Sequence, residues 1–187
     1  MLRLPPFEYL RPRTVGEAAE MIAAHDGLAM AVAGGSDLLP KMKRRQIEPT
    51  RLVGLRALPE LAGICCEADG TLRIGAGETL ATLCADPEVA RSAPALAAAA
   101  ASVSTPQLRA SGTLGGNVLV DTRCNYYDQT YEWRRALGFC FKKDGDWCPV
   151  APGGHRCWSV SSSDTVPVLI RNDFSTGRSY SVSEMMA

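Results

Sequence analysis

AVAGGSDLLP, residues 31–40, sits between the apolar run LAM and the basic run KMKRR. An apolar stretch that ends in a glycine pair reads as a buried strand, 28–35, running into a tight turn. Gly34 and Gly35 remove two side chains where the backbone has to approach something closely. Ser36 adds a hydroxyl, and consecutive N–H groups at such a turn form an anion nest. Asp37 suits either a helix N-cap or a ribose hydroxyl. A plain strand-to-helix turn, capped by Ser36 or Asp37, accounts for the same residues.

The chemistry recurs downstream in ASGTLGGNVLV, residues 110–120. Gly112, Gly115 and Gly116 are read as leaving backbone amides exposed. Thr113 and Asn117 supply short polar groups, and the run is predicted to enter a strand. Neither loop has the GxGxxG or GxxxxGK[ST] pattern, so the Rossmann and P-loop readings fail. Two such loops together suit the gripping of one pyrophosphate from two sides, and a nucleotide cofactor is expected.

Around the loops the order is mixed. Thr14-Val-Gly-Glu17 reads as a capping box opening a helix that Gly27 stops. RLVGL (51–55) is a second strand. GICCEADGTLRIGAG (63–77) is a hairpin turning at Asp69-Gly70. Thr79 caps a helix to about Ala85, and PALAAAAASVS (94–104) is another. The pattern is α+β, without internal repeats, and a break is expected near 56–63.

The 187 residues carry no net charge, so no global field recruits nucleic acid or an anionic membrane. No segment approaches the roughly 20 apolar residues that span a bilayer. MLRLPPFEYLRPR lacks the apolar core of a signal peptide. A cytoplasmic protein is expected, in which clustered cysteines point to metal or redox chemistry. The basic run 41–45 reads as a solvated helix end, or else as local charge near a phosphate-bearing ligand.

Four of the seven cysteines lie in one segment, spaced Cys124-x15-Cys140-x7-Cys148-x8-Cys157. This is neither CxxC…CxxC nor a ferredoxin pattern. Four thiolates bind either structural zinc or a [4Fe–4S] cluster, and His155 can replace one of them. Spacing alone favours zinc slightly. Cys65, Cys66 and Cys84 read as buried free cysteines. Tyr126, Tyr127, Tyr131, Trp133, Phe139, Phe141, Trp147 and Trp158 read as an apolar shell. Gly145, Gly153 and Gly154 would let the backbone turn around the site.

AVAGGSDLLPKMK together with STPQLRASGTLGGN resembles the flavin-binding subunits of the molybdenum hydroxylases, and SSSDTVPVLI resembles the segment that comes after these loops there. The resemblance implies a two-part FAD-binding domain followed by a smaller C-terminal domain. The implied parts are an N-terminal α/β part (1–58) and a second part (59–170), the latter containing an insert at 122–158. It places Ala31, Val32, Ala33, Gly34, Gly35, Ser36, Asp37 and Leu38 on the FAD pyrophosphate. Gly112, Thr113, Leu114, Gly115, Gly116 and Asn117 form the opposite wall. Val103 packs near the flavin and Asp164 hydrogen-bonds the cofactor.

The insert further resembles the β subunits of the 4-hydroxybenzoyl-CoA reductases within that family, through CNYYDQ, FCFKKDG and GGHRCWSVSSSDT. That likeness reverses the preference for zinc. It implies Cys124, Cys140, Cys148 and Cys157 as ligands of a [4Fe–4S] cluster, with Asn125 lying toward the flavin. The implied protein is an oxidoreductase subunit that takes electrons from a reduced ferredoxin. Its partners carry the molybdenum cofactor and [2Fe–2S] clusters, and the complex removes the phenolic hydroxyl of 4-hydroxybenzoyl-CoA. No residue of this chain is implied as a catalytic acid, base or nucleophile. Two rivals are a flavin subunit of an oxidising molybdenum hydroxylase and a non-enzymatic, zinc-stapled remnant. RNDFSTGRSYSVSEMMA (171–187) departs from the family pattern and is expected to mark a truncation or a shifted reading frame, with the C-terminal domain missing.

Overall fold

The computed structural model describes residues 2–157, 159, 163 and 165, together with the backbone of 172–173 and 178–179. Asp164, Trp158 and most of the segment 161–170 lie outside the described residues.

The N-terminal region runs β1 (Glu8–Leu10), α1 (Val15–Ala23), β2 (Ala29–Val32), α2 (Leu38–Lys43) and β3 (Arg51–Gly54). The three strands form a parallel sheet in the order β1-β3-β2. Met30 pairs with Leu52 and Val32 with Gly54, so the first glycine loop leaves the sheet at the carboxyl end of β2. Parallel neighbours need a crossover connection, and α2 supplies the one between β2 and β3. Thr14 caps α1 through an Oγ1 that accepts from the Glu17 N–H at 3.0 Å. The Glu17 carboxylate reaches back one residue further than a capping box requires, to the Arg13 N–H. Ala18, Ala29, Val53 and Leu58 are the buried centre of this region.

Within 56–63, where a break is expected, a 3-10 turn, Pro59–Leu61, is held against residues 75–77. The Leu61 carbonyl accepts from the Gly77 N–H at 2.7 Å. A Cβ on Gly75 would stand 2.4 Å from that same oxygen, so only glycine fits there.

The second region opens with the predicted hairpin, β4 (Ile64–Cys66) against β5 (Leu72–Ile74). Asp69 Oδ1 accepts from the Thr71 N–H, and Gly70 takes φ +86°, as an Asp-Gly turn allows. Then come α3 (Leu80–Ala85), α4 (Pro87–Ser92), α5 (Pro94–Ser102), α6 (Pro106–Ser111), α7 (Leu114–Val118) and α8 (Tyr131–Ala136). Thr79, Asp86, Thr105, Thr113 and Thr130 cap five of these through side-chain oxygens. Leu80, Leu83, Val89, Leu96, Ala100, Leu114 and Val118 form the second core with Ile74. Leu83, Val89 and Ala100 are fully enclosed, each contributing roughly the 1.5–3 kcal/mol of a buried aliphatic side chain, less for alanine.

Three expectations need correction. Residues 114–118 form helix α7, not a strand, because Thr113 caps them and Leu114 and Val118 share one buried face. Cys65 and Cys66 are exposed, since the three-residue strand β4 lies at the surface. Lys41 is not part of a solvated helix end; it is only 7% exposed.

Candidate cofactor-binding site

The two glycine loops meet. A Cβ on Gly34 would lie 2.0 Å from the Ser111 carbonyl oxygen and 3.0 Å from Gly112 Cα. Gly34 is therefore required by the neighbouring loop. Gly35 has φ +69°, a left-handed conformation that favours glycine. Among the described residues, the backbone N–H groups of Gly34, Gly35, Ser36, Asp37 and Leu38 donate to no protein acceptor. Five adjacent donors without a protein partner suit an anionic ligand. Ala31 and Ser36 are exposed; Val32, Ala33, Gly34, Gly35, Asp37 and Leu38 are half-buried.

The second loop is built differently from the expectation. Gly112 N–H donates to Leu108, Leu114 N–H to Glu78 and Gly115 N–H to Ala76. Gly116 N–H donates to Thr113 Oγ1 at 3.1 Å. These amides are engaged inside the protein, so this loop offers a ligand its shape and not a nest. Gly115 must be small because a Cβ would meet Ala76 Cβ at 3.0 Å. Val103 is half-buried against the second core, and it precedes Ser104, which has φ +46°. Arg109 Nη1 ties this turn down through the carbonyls of Val103 at 2.8 Å and Ser104 at 3.1 Å. The sequence reading missed Arg109.

Asn117 has a structural task that its sequence context does not reveal. Its Oδ1 accepts from Ser163 Oγ at 2.9 Å, Thr165 N–H at 3.2 Å and Thr165 Oγ1 at 2.7 Å. It thereby fastens residues 163 and 165 to the second loop. Thr165 is fully buried. Asn117→Ala leaves those buried donors without their acceptor and is expected to destabilise the chain by about 1–3 kcal/mol, read from urea unfolding. Asn117→Asp, which keeps an acceptor, loses less.

Asp37 caps nothing. Its Oδ1 pairs with Arg123 Nη2 at 3.1 Å and its Oδ2 with Lys41 Nζ at 3.7 Å. Lys41 also pairs with Asp121 at 3.7 Å and Asp128 at 3.4 Å. With its charge compensated by three carboxylates, Lys41 is not a counter-charge for a phosphate.

The four insert cysteines come together. Cys124, Cys140, Cys148 and Cys157 all line one cavity of about 400 Å³. Tyr126, Tyr127, Phe141, Pro149, Val150 and Ala151 give it a mostly apolar wall, with Thr122, Lys142 and Ser159 the remaining lining residues. Cys140 is buried and the other three are half-buried. The backbone wraps tightly here: the Cys124 carbonyl accepts from Tyr127 and Asp128, and that of Cys140 from Lys143 and Gly145. A Cβ on Gly145 would be 2.5 Å from the Cys140 nitrogen, so the wrap requires glycine. Gly153 meets nothing within 4 Å and has no such role.

Tyr131, Trp133, Phe139 and Trp147 do not line the cavity. Tyr131 and Phe139 pack together at 5.7 Å and Tyr126 and Trp133 at 6.2 Å, a small cluster beside it. His155 and Asn125 are also off the wall. Among the described residues, no three His, Cys, Asp or Glu side chains converge closely enough to hold a single metal ion. One zinc, with Zn–S near 2.3 Å, would need thiolates within about 4 Å of each other.

Tyr127 lies between the cavity and the ionic cluster, donating its hydroxyl to Asp121 Oδ2 at 3.0 Å. Burial and then this bond to a carboxylate push its pKa up to about 12. The protonated form is thus favoured by folding. Stability is unaffected below about pH 10, the ordinary tyrosine pKa, and declines as pH rises from there toward 12. Phenolate absorbance of the metal-free chain is expected to show one late-titrating tyrosine that Tyr127→Phe removes.

Residues 5–175 match the family described as "FAD binding domain in molybdopterin dehydrogenase". The chain belongs to that family. The carbon monoxide dehydrogenase medium chain of Hydrogenophaga pseudoflava is 40% identical over 114 residues, covering 61% of this chain and 39% of that one. A putative xanthine dehydrogenase FAD-binding subunit of Escherichia coli K12 is 38% identical over 110 residues, covering 59% and 37%. Among solved structures, the Hydrogenophaga carbon monoxide dehydrogenase superposes with a TM-score of 0.60 at 40% identity, over 62% of this chain and 40% of that chain. Quinoline 2-oxidoreductase of Pseudomonas putida 86 gives 0.58 at 37% identity, over the same shares. The fold is thus the α+β flavin-domain fold of these enzymes. The chain spans about two-fifths of the length of the relatives it matches. Among the described residues no helix is long and apolar enough to cross a membrane.

Proposed function

We propose that the chain is the FAD- and [4Fe–4S]-carrying part of an electron-transfer subunit in a molybdenum enzyme of the 4-hydroxybenzoyl-CoA reductase type. The observation that carries the reading is the cavity where four cysteines, spread over residues 124–157, share one mostly apolar wall. FAD and the cluster, when bound, supply stepwise electron transfer. The unpartnered amides of Gly34 to Leu38 hold the FAD pyrophosphate, and Ala31, Val32 and Ala33 shape the approach. Gly112 to Asn117 close the opposite side by shape, with Val103 beside the flavin, Asp164 bonded to the cofactor and Asn125 turned toward it. Cys124, Cys140, Cys148 and Cys157 ligate the cluster, and the apolar wall lowers the local dielectric, which tunes its potential.

The chain passes electrons from a reduced ferredoxin, in the cytoplasm, toward partner subunits that carry [2Fe–2S] clusters and the molybdenum cofactor. There the aryl C–OH bond of 4-hydroxybenzoyl-CoA is cleaved, with two electrons and two protons consumed and water and benzoyl-CoA released. A second reading, a flavin subunit of an oxidising enzyme, is favoured by relatives named for carbon monoxide, xanthine and nicotinate dehydrogenases.

Anaerobic mixing of the FAD- and iron-loaded chain with reduced ferredoxin separates them. The reductase reading expects rapid flavin bleaching that Cys124→Ser slows at least about tenfold. Bleaching that is absent, or indifferent to the cysteine, favours the oxidising subunit.

A further inference from the structure

Lys41 belongs to α2, the helix that the first glycine loop enters, yet two of its three carboxylate partners lie some 80 residues away, Asp121 just before the cysteine segment and Asp128 within it. Asp121 and Asp128 bracket Cys124. Asp37, the third partner, is in the glycine loop. The Lys41 side chain is only 9% exposed, and a buried ammonium is tolerated only when it is paired. Two further contacts join the same two segments. Arg123 Nη2 bonds Asp37 Oδ1 at 3.1 Å, and Gln46 Nε2 donates to the Asp128 carbonyl at 2.6 Å. On the far side, Tyr127 bonds Asp121 and lines the cysteine cavity. A continuous set of polar contacts therefore runs from the glycine loop through Asp37, Lys41, Asp121 and Tyr127 to the cavity wall.

We propose that Lys41 is a positioning residue that couples the two cofactor sites, so that FAD binding and occupancy of the cysteine cavity strengthen each other. The inference rests on the functional reading above. A loop ordered by FAD fixes Asp37 and the start of α2. Lys41 then holds Asp121 and Asp128 in place, and Cys124 between them. The coupling is reciprocal by linkage. Without the ammonium, Asp37, Asp121 and Asp128 repel one another, and the cysteine segment is held to this region by the weaker set of Arg123–Asp37 and Gln46–Asp128.

The test uses the full chain, metal-free and iron-reconstituted, with FAD affinity read by quenching of flavin fluorescence. Wild-type chain is expected to bind FAD at least about fivefold tighter when iron-loaded. In Lys41→Met the ratio falls to about one, Lys41→Arg restores it, and Asp128→Asn lies between. A wild-type ratio of one, or an unchanged ratio in Lys41→Met, overturns the coupling. A chain that takes up no iron defeats the cluster reading separately. In that case the coupling is read on the thiols: FAD slows iodoacetamide alkylation of Cys124 in the wild type and not in Lys41→Met. Equal rates with and without FAD in the wild type overturn it.

Discussion

Gly34→Ala is expected to cost the chain its flavin. The new Cβ would sit 2.0 Å from the Ser111 carbonyl oxygen and 2.7 Å from the Ser111 carbonyl carbon. Both are backbone atoms, so no side-chain rotation relieves the clash, and the two glycine loops must separate. Overpacking of a tight contact costs about 1–3 kcal/mol, and more where backbone meets backbone. FAD affinity should fall at least about tenfold, the equivalent of 1.4 kcal/mol, in a fluorescence titration. Gly35→Ala is the control. There the penalty is the left-handed φ, about 1–2 kcal/mol, and a Cβ whose one tight contact is the flexible Leu39 side chain, at 3.1 Å, while the loop–loop contact persists, so affinity should fall less. If Gly34→Ala bound FAD like the wild type at unchanged stability, the loops would not form one site.

Cys140→Ser is expected to have the largest effect on metal content. Cys140 is the most buried of the four cavity cysteines, and its backbone is wrapped by the turn through Gly145. A serine oxygen is a poor substitute for thiolate at iron. Iron per chain, by metal analysis after anaerobic reconstitution, should drop at least about threefold. Cys84→Ser should leave iron unchanged, because Cys84 packs against the second core and does not line the cavity. Equal loss in both variants would mean that the effect is misfolding and not ligation.

Much of the scaffold was legible because its signals are local. Thr14 and Thr79 announce α1 and α3, Asp69-Gly70 turns the hairpin, and LAMAV and RLVGL pair as parallel strands, of which the second is buried and the first is buried only at Ala29, with Leu28 and Ala31 exposed. Other local signals went unread: Asp86-Pro87 and Thr105-Pro106 each place a cap before proline at the first helical position, as α4 and α6 require. Residues 114–120 look like a strand because Val and Leu dominate them. The carbonyls of Ala76 and Glu78 capture the amides there, and the segment closes into α7. The Thr113 cap is a local signal, but the capture by residues 76 and 78 is tertiary and lies in no window of sequence. The same holds at the site. Gly34 reads from the sequence as a close approach, and the neighbour it approaches is the other loop. Lys41 looked solvated because its partners Asp121 and Asp128 are remote in sequence. The convergence of the four cysteines was implied by a family resemblance, and the fold supplies the shared cavity.

The central claim, that this cavity holds an iron–sulfur cluster beside a flavin site, is tested most directly by counting iron and zinc per chain after anaerobic expression and purification. About four iron atoms per chain, with little zinc, is the predicted result. One zinc per chain and no iron would contradict it and make the insert a structural staple.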